Sequence, residues 1–392
     1  MRILADASMP LVEKLASLCQ AAGYAVEFDT FQGRQPNAAQ LAVAEVLLIR
    51  SITRVDQTLL DQAPQLRWLG TATIGTEHVD TDAVQARGIC FHSTPGVNAQ
   101  AVGDYVASAI AALTEHLGHL PSRSGRKMAA IVGAGHTGRA AGSRLRAFGY
   151  HVSYYDPPIA AAFTEHPVPV HADWQRVVDA DVISIHVPLI ADGLYPTVGL
   201  FDETTLLSLA DDTILINASR GPVVSEAGLR AAKAREQQLR VILDVWEHEP
   251  IIAADLLPYL TFATPHIAGH SVAGKVGGTL QLFQLFTQWA GWTVAFPDLA
   301  QLLGAMADLP KPPVIHAERA PSAVELASWV LSIYDIRADD ERLRQAPATA
   351  SEFDALRRHY PARAELSTLQ LQPAAWQLEG NWPQRLRLLK GS

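Results

Sequence analysis

The sequence predicts an α/β fold with two parallel sheets and a smaller mixed domain at the C-terminal end. Three observations support this prediction: two blocks of alternating strands and helices, a glycine-rich turn that opens the second block, and a change of pattern after residue 291. Alternating apolar strands and amphipathic helices are typical of parallel sheets covered by helices on both faces. At 392 residues the chain is also too long for one compact core, which favours two or three domains.

The first block contains four predicted strands and two predicted helices. The strands are MRILAD, AEVLLIRS, LRWLGTATIG and GICFHSTPG, and the helices are PLVEKLASLCQAAG and DQTLLDQAP. Gly23 is expected to end the first helix, because glycine readily takes the left-handed conformation found at many helix C-termini. A long helix with many small residues, NAQAVGDYVASAIAALTEHLG, follows the block.

The second block begins at Lys127 and contains six predicted strands. They are KMAAIVG, YHVSYYD, ADVISIHVP, DDTILINASRG, LRVILDVW and LTFATPHIAG, and a helix over residues 272–290 follows them. Six such strands with helices between them are the number expected of a complete Rossmann dinucleotide-binding sheet.

The motif GAGHTG connects the first strand of this block to a helix. Gly133 permits the tight turn, Gly135 lets the backbone approach a pyrophosphate, and Gly138 lets helix and strand pack closely. His136 and Thr137 complete the motif, and backbone amides at this helix N-terminus face the phosphates of a bound dinucleotide.

Asp156 ends the next predicted strand. A carboxylate at this position can accept hydrogen bonds from both ribose hydroxyls of a dinucleotide and would repel a 2′-phosphate. The sequence therefore predicts NAD as the cofactor rather than NADP. A turn aspartate before Pro157 is the structural alternative, and one residue can serve both purposes.

Polar side chains follow three later strands: Arg220, then Asp244 and Glu249, then His266. Ligands of open α/β sheets bind at this edge. Oxidation of a 2-hydroxy acid needs an arginine that binds the carboxylate, an imidazole that accepts the hydroxyl proton, and a carboxylate that orients the imidazole. The structural alternatives are a surface ion pair for Arg220, a solvated loop for Glu249 and a buried, singly partnered histidine for His266.

A second group of hydrogen-bond donors, Arg50, Ser51, Thr53 and Arg54, lies in RSITR after a strand of the first block. Such a cluster suits a carboxylate or a phosphate. Pairing with a surface acid is the alternative for Arg54. No metal site is predicted, since the acid and histidines of EHLGH, on a predicted helix, do not have the HExxH spacing.

The bulk composition excludes several classes of partner. The formal net charge of -9 and the pI of 5.8 argue against binding to nucleic acid or to an anionic membrane. Cys19 and Cys90 form no CxxC motif, which is typical of a reducing compartment. The N-terminus has no signal-peptide pattern and no apolar run approaches transmembrane length. These features predict a cytoplasmic protein.

Taken together, GAGHTG, NASRG, LDVWEHEP and TPHIAGHS resemble the motifs of the D-isomer-specific 2-hydroxyacid dehydrogenases. Further segments, among them MRILADASMP, RSITRV and SEFDALRRHYP, resemble one branch of this family that carries an extra C-terminal domain. The resemblance implies a Rossmann NAD-binding domain, residues 99–270, inserted in a flavodoxin-like substrate domain, residues 1–98 and 271–291. Residues 292–392 would then be a small α+β dimerisation domain. The apolar helix VELASWVLSIY, with no obvious partner in that short segment, also favours a homodimer.

The resemblance also assigns the site. The implied catalytic residues are Arg220, Glu249 and His266, with His266 as proton donor and acceptor. The implied NAD contacts, beyond the glycine motif, are Asp156, Val187, Ala218, Ser219, Arg220, Asp244 and Gly269. The candidate substrate contacts are Arg50, Ser51, Thr73 and His270, and an exposed helix-cap residue is the structural alternative for His270. Two positions depart from the branch: Val187 replaces a threonine, as the wider family allows, and His270 replaces a tyrosine.

The hypothesis that follows is NAD-dependent oxidation of a small phosphorylated 2-hydroxy acid to the 2-oxo acid. One alternative is a dehydrogenase for another 2-hydroxy acid, such as a phosphoglycerate. The other is a non-catalytic NAD-sensing interaction protein, because a corepressor branch resembles this family.

Overall fold

The computed structural model describes residues 1–123, 125–162, 165–306, 309, 311–317, 319–372 and 380–391. The strands are β1 Arg2–Asp6, β2 Glu27–Phe31, β3 Val46–Ile49, β4 Trp68–Thr71, β5 Cys90–His92, β6 Met128–Val132, β7 His151–Tyr155, β8 Val182–Ile185, β9 Ile214–Asn217, β10 Arg240–Leu243, β11 Phe262–Ala263, β12 Val314–His316 and β13 Gln370–Gln372.

The α-helices are α1 Val12–Ala21, α2 Ala38–Val43, α3 Gln57–Asp61, α4 Thr81–Ala86, α5 Ala99–Leu117, α6 His136–Phe148, α7 Pro157–Ala161, α8 Gln175–Val178, α9 Glu203–Ser208, α10 Glu226–Ala234, α11 Val272–Trp289, α12 Leu299–Gly304, α13 Ala323–Ile333, α14 Ile336–Gln345, α15 Ala350–Arg358 and α16 Trp382–Lys390. Short 3-10 helices are Gly221–Val223, Ala254–Tyr259 and Leu366–Thr368. Among the described residues, none of these helices combines the length and the apolar character needed to cross a bilayer.

The chain divides into two compact units, and the first consists of Met1–Asn98 and Ser271–Leu309. Its five parallel strands lie in the order β2-β1-β3-β4-β5, which is the flavodoxin-like order. The buried Trp68 and Phe283 lie in the core on one face of this sheet, which α1 and α11 cover, and Leu41 and Leu59 lie in the core on the other. The unit is therefore an open parallel sheet with a hydrophobic core on each face.

Strand β2 is absent from the four strands that the sequence predicts for this block. Its residues, EFDTF, are mostly exposed or half-buried, and it pairs only with β1 at the edge of the sheet. An edge strand needs no continuous apolar run, so the pattern that detects the four inner strands does not detect this one.

The second unit consists of Ala99–His270 and Pro310–Ser392. Its six parallel strands lie in the order β11-β10-β9-β8-β6-β7, so the six strands predicted for the second block are confirmed. A single bridge between Tyr155 and His171 continues the sheet beyond β7. The order of strands reverses between β6 and β8, and the carboxyl ends of these two strands form the switch point at which Rossmann sheets bind dinucleotides.

The C-terminal segment differs from the expected separate domain. Residues 292–309 join the first unit, where Leu299, Leu302 and Leu303 pack in the same core as α11. The helices that follow pack on the Rossmann sheet's own helices. In particular α13, the apolar helix that has no obvious partner in the sequence, packs along α5 and buries Leu326 and Val330. The apolar face of α13 is therefore covered within the same chain and is no argument for a dimer.

Candidate active site

The glycine motif forms the turn between β6 and α6. Gly133 has a φ of 97°, in the left-handed region, and a Cβ on it would lie 2.6 Å from the carbonyl oxygen of His186. A Cβ on Gly138 would lie 1.9 Å from the carbonyl oxygen of Gly133. Both glycines are therefore required by close backbone approach.

The N-terminus of α6 suits a pyrophosphate. Its N-cap is Gly135, which provides no side-chain cap, and a Cβ there would meet nothing within 4 Å. The first amides of the helix are then available to a negatively charged group, with the helix dipole favouring it. His136 is exposed and Thr137 half-buried at this end of the helix. These residues fit the phosphates of NAD.

Asp156 follows β7, next to the glycine turn. Its Oδ2 accepts a hydrogen bond from the Ala134 amide at 2.9 Å, and its Oδ1 accepts one from the Ile159 amide at 3.3 Å as the N-cap of α7. A carboxylate has about four acceptor positions, so two ribose hydroxyls can still be accommodated. The geometry of Asp156 is thus compatible both with a contact to the ribose of NAD and with a structural role in the turn before Pro157.

Arg220 lies just after β9, in a turn organised by Asn217. The buried Asn217 side chain accepts hydrogen bonds from the Ser219 amide and hydroxyl, at 3.1 and 2.8 Å, and donates to the Arg220 carbonyl at 2.9 Å. The Arg220 guanidinium donates to the Ser219 carbonyl at 2.8 Å. A Cβ on Gly221 would lie 1.8 Å from the carbonyl oxygen of Trp246, so this glycine lets the Arg220 turn approach the loop after β10.

Glu249 and His266 form a hydrogen-bonded pair. Nδ1 of His266 lies 2.7 Å from Oε2 of Glu249, and Oε1 of Glu249 accepts a hydrogen bond from the Trp246 amide at 2.9 Å. Burial alone would raise the pKa of Glu249, but the charge and hydrogen bond of His266 and the Trp246 amide hold that pKa below its ordinary value. Glu249 is therefore an anion at neutral pH, and it orients the imidazole so that Nε2 remains for a substrate.

The backbone at His266 is unusual. Its φ is 56°, in the left-handed region that residues other than glycine seldom occupy. Strain of this kind persists only where surrounding contacts fix the backbone, and it is concentrated at functional sites.

Asp244 supplies several of these contacts. Its Oδ1 accepts hydrogen bonds from the Thr264 hydroxyl and the Ile267 amide, both at 2.7 Å, and its Oδ2 accepts one from the Ala268 amide at 2.9 Å. Its carbonyl accepts the His266 amide at 2.7 Å. Burial raises the pKa of Asp244, and His266, Thr264 and the two amides oppose that rise. We call residues 264–268 the catalytic loop.

The remaining candidate NAD contacts lie at the same edge of the Rossmann sheet. Val187 is half-buried after β8, and Ala218, half-buried, precedes the buried Ser219 after β9. Gly269 is half-buried just beyond the catalytic loop. Their contact with NAD stays a prediction.

The candidate substrate residues of the first unit follow adjacent strands. Arg50 and Ser51 come directly after β3, and Thr73 lies two residues beyond β4, so the carboxyl ends of two neighbouring strands present them. The Thr73 hydroxyl lies 2.7 Å from that of Thr71. Arg54 is exposed and lies 3.7 Å from Asp56, which agrees with the surface-pair alternative.

In the second unit, His270 is half-buried, and its ring packs edge-to-face on Tyr360 with 5.6 Å between the centroids. It is thus neither fully exposed nor the N-cap of α11, which is Ser271. Its role toward substrate stays a prediction.

One group of potential metal ligands occurs in the described part of the chain. Ligand atoms of Glu226, Glu247 and His248 lie within 4.8 Å of one another. However, Glu226 and Glu247 each accept the other's backbone amide, and Arg230 lies 3.7 Å from Glu226. Hydrogen bonding and a cation within the fold thus account for these carboxylates.

The sequence interpretation overlooked the residues that hold the candidate ones in place. Asn217 could have been found, since a polar residue at the end of the apolar run TILIN, just before Arg220, is a candidate for a structural hydrogen bond. Trp246, whose indole donates to the Thr264 carbonyl at 3.1 Å, carries no such signal, because a buried tryptophan is ordinary core.

Solved structures with the same fold cover about three quarters of the chain. The NAD-dependent formate dehydrogenase of Staphylococcus aureus, solved with NAD, has a TM-score of 0.59 and 21% identity and covers 76% of this chain and 98% of its own. The 3-phosphoglycerate dehydrogenase of Entamoeba histolytica has a TM-score of 0.60 and 20% identity, with 76% and 97% covered. At these identities the likeness concerns the fold alone.

Two family models match the sequence. Residues 111–268 match "D-isomer specific 2-hydroxyacid dehydrogenase, NAD binding domain", and residues 309–383 match "Domain of unknown function (DUF3410)". The first match shows that the Rossmann sheet binds NAD.

The similarity to curated proteins extends over nearly the whole chain. Erythronate-4-phosphate dehydrogenase of Idiomarina loihiensis is 42% identical over 361 residues, which are 92% of this chain and 90% of the relative. The enzyme of the same name from Aeromonas hydrophila is 40% identical over 375 residues, 95% of each chain. The chain therefore belongs to the erythronate-4-phosphate dehydrogenase family, a branch of the NAD-dependent D-isomer-specific 2-hydroxyacid dehydrogenases.

Proposed function

We propose that this protein oxidises 4-phospho-D-erythronate at its 2-hydroxyl group to 2-oxo-3-hydroxy-4-phosphobutanoate, as a step of pyridoxal 5′-phosphate biosynthesis. The names of the relatives suggest the substrate. The observation that carries the chemistry is the 2.7 Å hydrogen bond between Glu249 and His266, at the carboxyl edge of the sheet that binds NAD. An oriented imidazole with an ionised carboxylate behind it supports a catalytic rather than a purely binding role.

The residues perform the reaction as follows. NAD, held by the glycine turn and Asp156, would supply the hydride acceptor for C2 of the substrate. His266, neutral and held through Nδ1, accepts the hydroxyl proton at Nε2 as the carbonyl forms. Glu249 stabilises the imidazolium that results, because it remains ionised. In the reverse direction the same imidazolium returns the proton to the carbonyl oxygen.

Arg220 is assigned to the substrate carboxylate and the C2 oxygen. A guanidinium can donate two parallel hydrogen bonds to a carboxylate, and its charge stabilises the oxygen atom whose electron density changes during oxidation. The Asn217 turn supports this assignment, since it fixes the backbone from which the side chain extends. Arg50, Ser51 and Thr73 are assigned to the phosphate, with His270 as a further donor.

A substrate panel tests the proposal. The purified protein is given NAD with 4-phosphoerythronate, its unphosphorylated analogue, 3-phosphoglycerate or D-lactate, and NADH formation is followed by absorbance. We expect the highest kcat/KM with 4-phosphoerythronate. A higher kcat/KM with 3-phosphoglycerate would show that the protein is a 2-hydroxyacid dehydrogenase with a different substrate. NAD binding without turnover of any acid would favour a non-catalytic, NAD-sensing interaction protein.

We also propose that the enzyme is a cytoplasmic homodimer, as the resemblance to the dehydrogenase branch implies. Light scattering of the full-length protein tests the oligomeric state, and a mass of 42.4 kDa would identify a monomer. The assignment to the cytoplasm stays a prediction.

A further inference from the structure

The segment that matches a domain of unknown function contacts the catalytic loop through one buried arginine. Arg363 is only 5% exposed. It donates to the Ala268 carbonyl at 2.6 Å, to the Ile267 carbonyl at 3.3 Å and to the Ala101 carbonyl at 3.1 Å. Ile267 and Ala268 directly follow His266, so the guanidinium binds the catalytic loop immediately next to the proposed acid–base group.

The loop is held from both sides by opposite charges. Asp244 accepts the amides of Ile267 and Ala268, and Arg363 donates to the carbonyls of the same two residues. Two consecutive residues thus have both their amides and their carbonyls bonded to the side chains of an aspartate and an arginine. Hydrogen bonds to charged groups are stronger than those between neutral groups, so this arrangement fixes the loop backbone more firmly than a turn alone would.

Arg363 is itself held in place by aromatic and acidic side chains of the same segment. Its guanidinium carbon lies 4.3 Å from the centroid of the Tyr334 ring. The hydroxyls of Tyr334 and Tyr360 both donate to the buried Asp339, at 2.8 Å each. Tyr360 also packs on His270. The guanidinium is therefore presented to the loop by a rigid, charged cluster rather than by a mobile side chain.

We propose that Arg363 is a positioning residue for His266, and that the C-terminal segment serves catalysis by holding the catalytic loop in its left-handed conformation. This inference rests on the proposed role of His266 as the acid–base group. Without Arg363 the Ala268 carbonyl loses its charged donor, while the Ile267 carbonyl keeps the His270 amide at 2.8 Å, and the strained backbone at His266 can relax. A displacement of about 1 Å of a catalytic group can lower a rate by about 100-fold.

The variants Arg363→Met and Arg363→Lys test this role. Methionine keeps the apolar length and removes every donor, whereas lysine keeps the charge and can reach one carbonyl. We expect kcat to fall by about 10–100-fold in Arg363→Met and less in Arg363→Lys. The KM for NAD should change much less than kcat, since the glycine turn and Asp156 are not touched.

Arg344→Met is the matched control. Arg344 lies in the same segment and likewise donates to two backbone carbonyls of the Rossmann unit, those of Leu257 at 2.6 Å and Leu260 at 3.0 Å, which precede β11 rather than lying in the catalytic loop. The Arg344→Met variant should lose thermal stability as Arg363→Met does, but its kcat should be retained. Equal losses of kcat in the two variants would overturn the proposal, because the segment would then act only through general stability.

A readout without substrate separates this inference from the proposed function. Diethyl pyrocarbonate modifies accessible imidazoles, and the rate at His266 can be followed by peptide mass spectrometry in the full-length protein. We expect the rate to change in Arg363→Met but not in Arg344→Met. If the wild-type protein oxidised no 4-phosphoerythronate, the proposed substrate would fail while this comparison remained valid. An unchanged rate in Arg363→Met would overturn the positioning role.

Discussion

The imidazole of His266 and the carboxylate of Glu249, 17 residues apart in the sequence, share a 2.7 Å hydrogen bond through Nδ1 and Oε2. The bond leaves one ring nitrogen for chemistry and fixes which one it is. It also places a negative charge beside the imidazole proposed to accept the hydroxyl proton, a charge that stabilises an imidazolium.

The pH dependence of oxidation should follow from this pair. Because the pKa of Glu249 is held below its ordinary value, Glu249 stays ionised between pH 8 and about pH 5. Protonation of Glu249 is therefore expected to cause no fall in kcat/KM across that range. His266→Ala should lower the rate by about 10²–10⁴-fold. A near-native rate in His266→Ala would restore the structural interpretation of this histidine.

Glu249→Gln tests the carboxylate separately. Glutamine keeps the size and can still bond the imidazole, but it cannot stabilise the imidazolium by charge. We expect a fall of about tenfold or more in oxidative kcat, because the protonated imidazole loses its counterion. An unchanged kcat would mean that the pair only supports the loop structurally.

Cofactor choice should depend on Asp156. NAD is expected to be strongly preferred over NADP, since the carboxylate would repel a 2′-phosphate. Replacing Asp156 by serine together with Pro157 by arginine should raise kcat/KM for NADP relative to NAD. Thermal unfolding is the control, because Asp156 also caps α7 and bonds the glycine turn. A wild-type protein that used both cofactors equally would contradict the assignment.

The stability of the Rossmann unit should fall in mild acid because of His186. Burial lowers the pKa of His186 to about 3, far below its ordinary value near 6.5. Between these values only the unfolded chain binds the proton, so folding is weakened as the pH falls. At pH 5.5 the loss is about 1 kcal/mol relative to neutral pH. Urea unfolding at pH 7.5 and 5.5 measures the free energy of unfolding at each pH. The decrease from pH 7.5 to 5.5 should be smaller by this amount in His186→Gln than in the wild type.

The sequence predicts the two sheets and most of the site because both follow from local patterns. Apolar strands, the glycine turn and the polar residues at the strand ends are each visible in short segments, and a parallel sheet brings its carboxyl ends to one edge. Edge strand β2 was not predicted, because a strand at the edge of a sheet can consist largely of polar residues and then has no continuous apolar run. The contact of Arg363 with the catalytic loop was not predicted for a different reason. The contact between Arg363 and Ala268 spans 95 residues, and no local pattern records such a pairing.

The packing of α13 on α5 determines the expected effect of a C-terminal truncation. Removing everything after residue 290 should not yield a smaller soluble species, because it exposes the apolar face of α5 that α13 covers. It also removes the Leu366 amide that bonds the buried Asp104 at 2.8 Å. We expect aggregation on size-exclusion chromatography. A truncated protein that elutes as a single species without aggregates would show that the Rossmann unit is stable without the segment.

Gly221→Ala tests the close approach of the Arg220 turn to the loop after β10. An alanine Cβ would lie 1.8 Å from the Trp246 carbonyl, a distance that no backbone contact tolerates, so one of the two loops must move. Since the Trp246 amide bonds Glu249 and Arg220 adjoins the glycine, the movement should displace Arg220, Glu249 or both. We expect a loss of kcat of at least about 100-fold, comparable to that for misplacement of a catalytic group.

Gly277→Ala is the control for that variant. Gly277 lies within α11, and a Cβ there would be 3.8 Å from the nearest side-chain atom, an ordinary contact. Alanine also favours a helix by about 1 kcal/mol over glycine, so this variant should be at least as stable as the wild type and fully active. Steady-state rates and thermal midpoints of both variants give the comparison. If Gly221→Ala kept its activity, the backbone of the Arg220 turn could shift without disturbing the side chains, and the close approach would not be what positions Arg220 and Glu249.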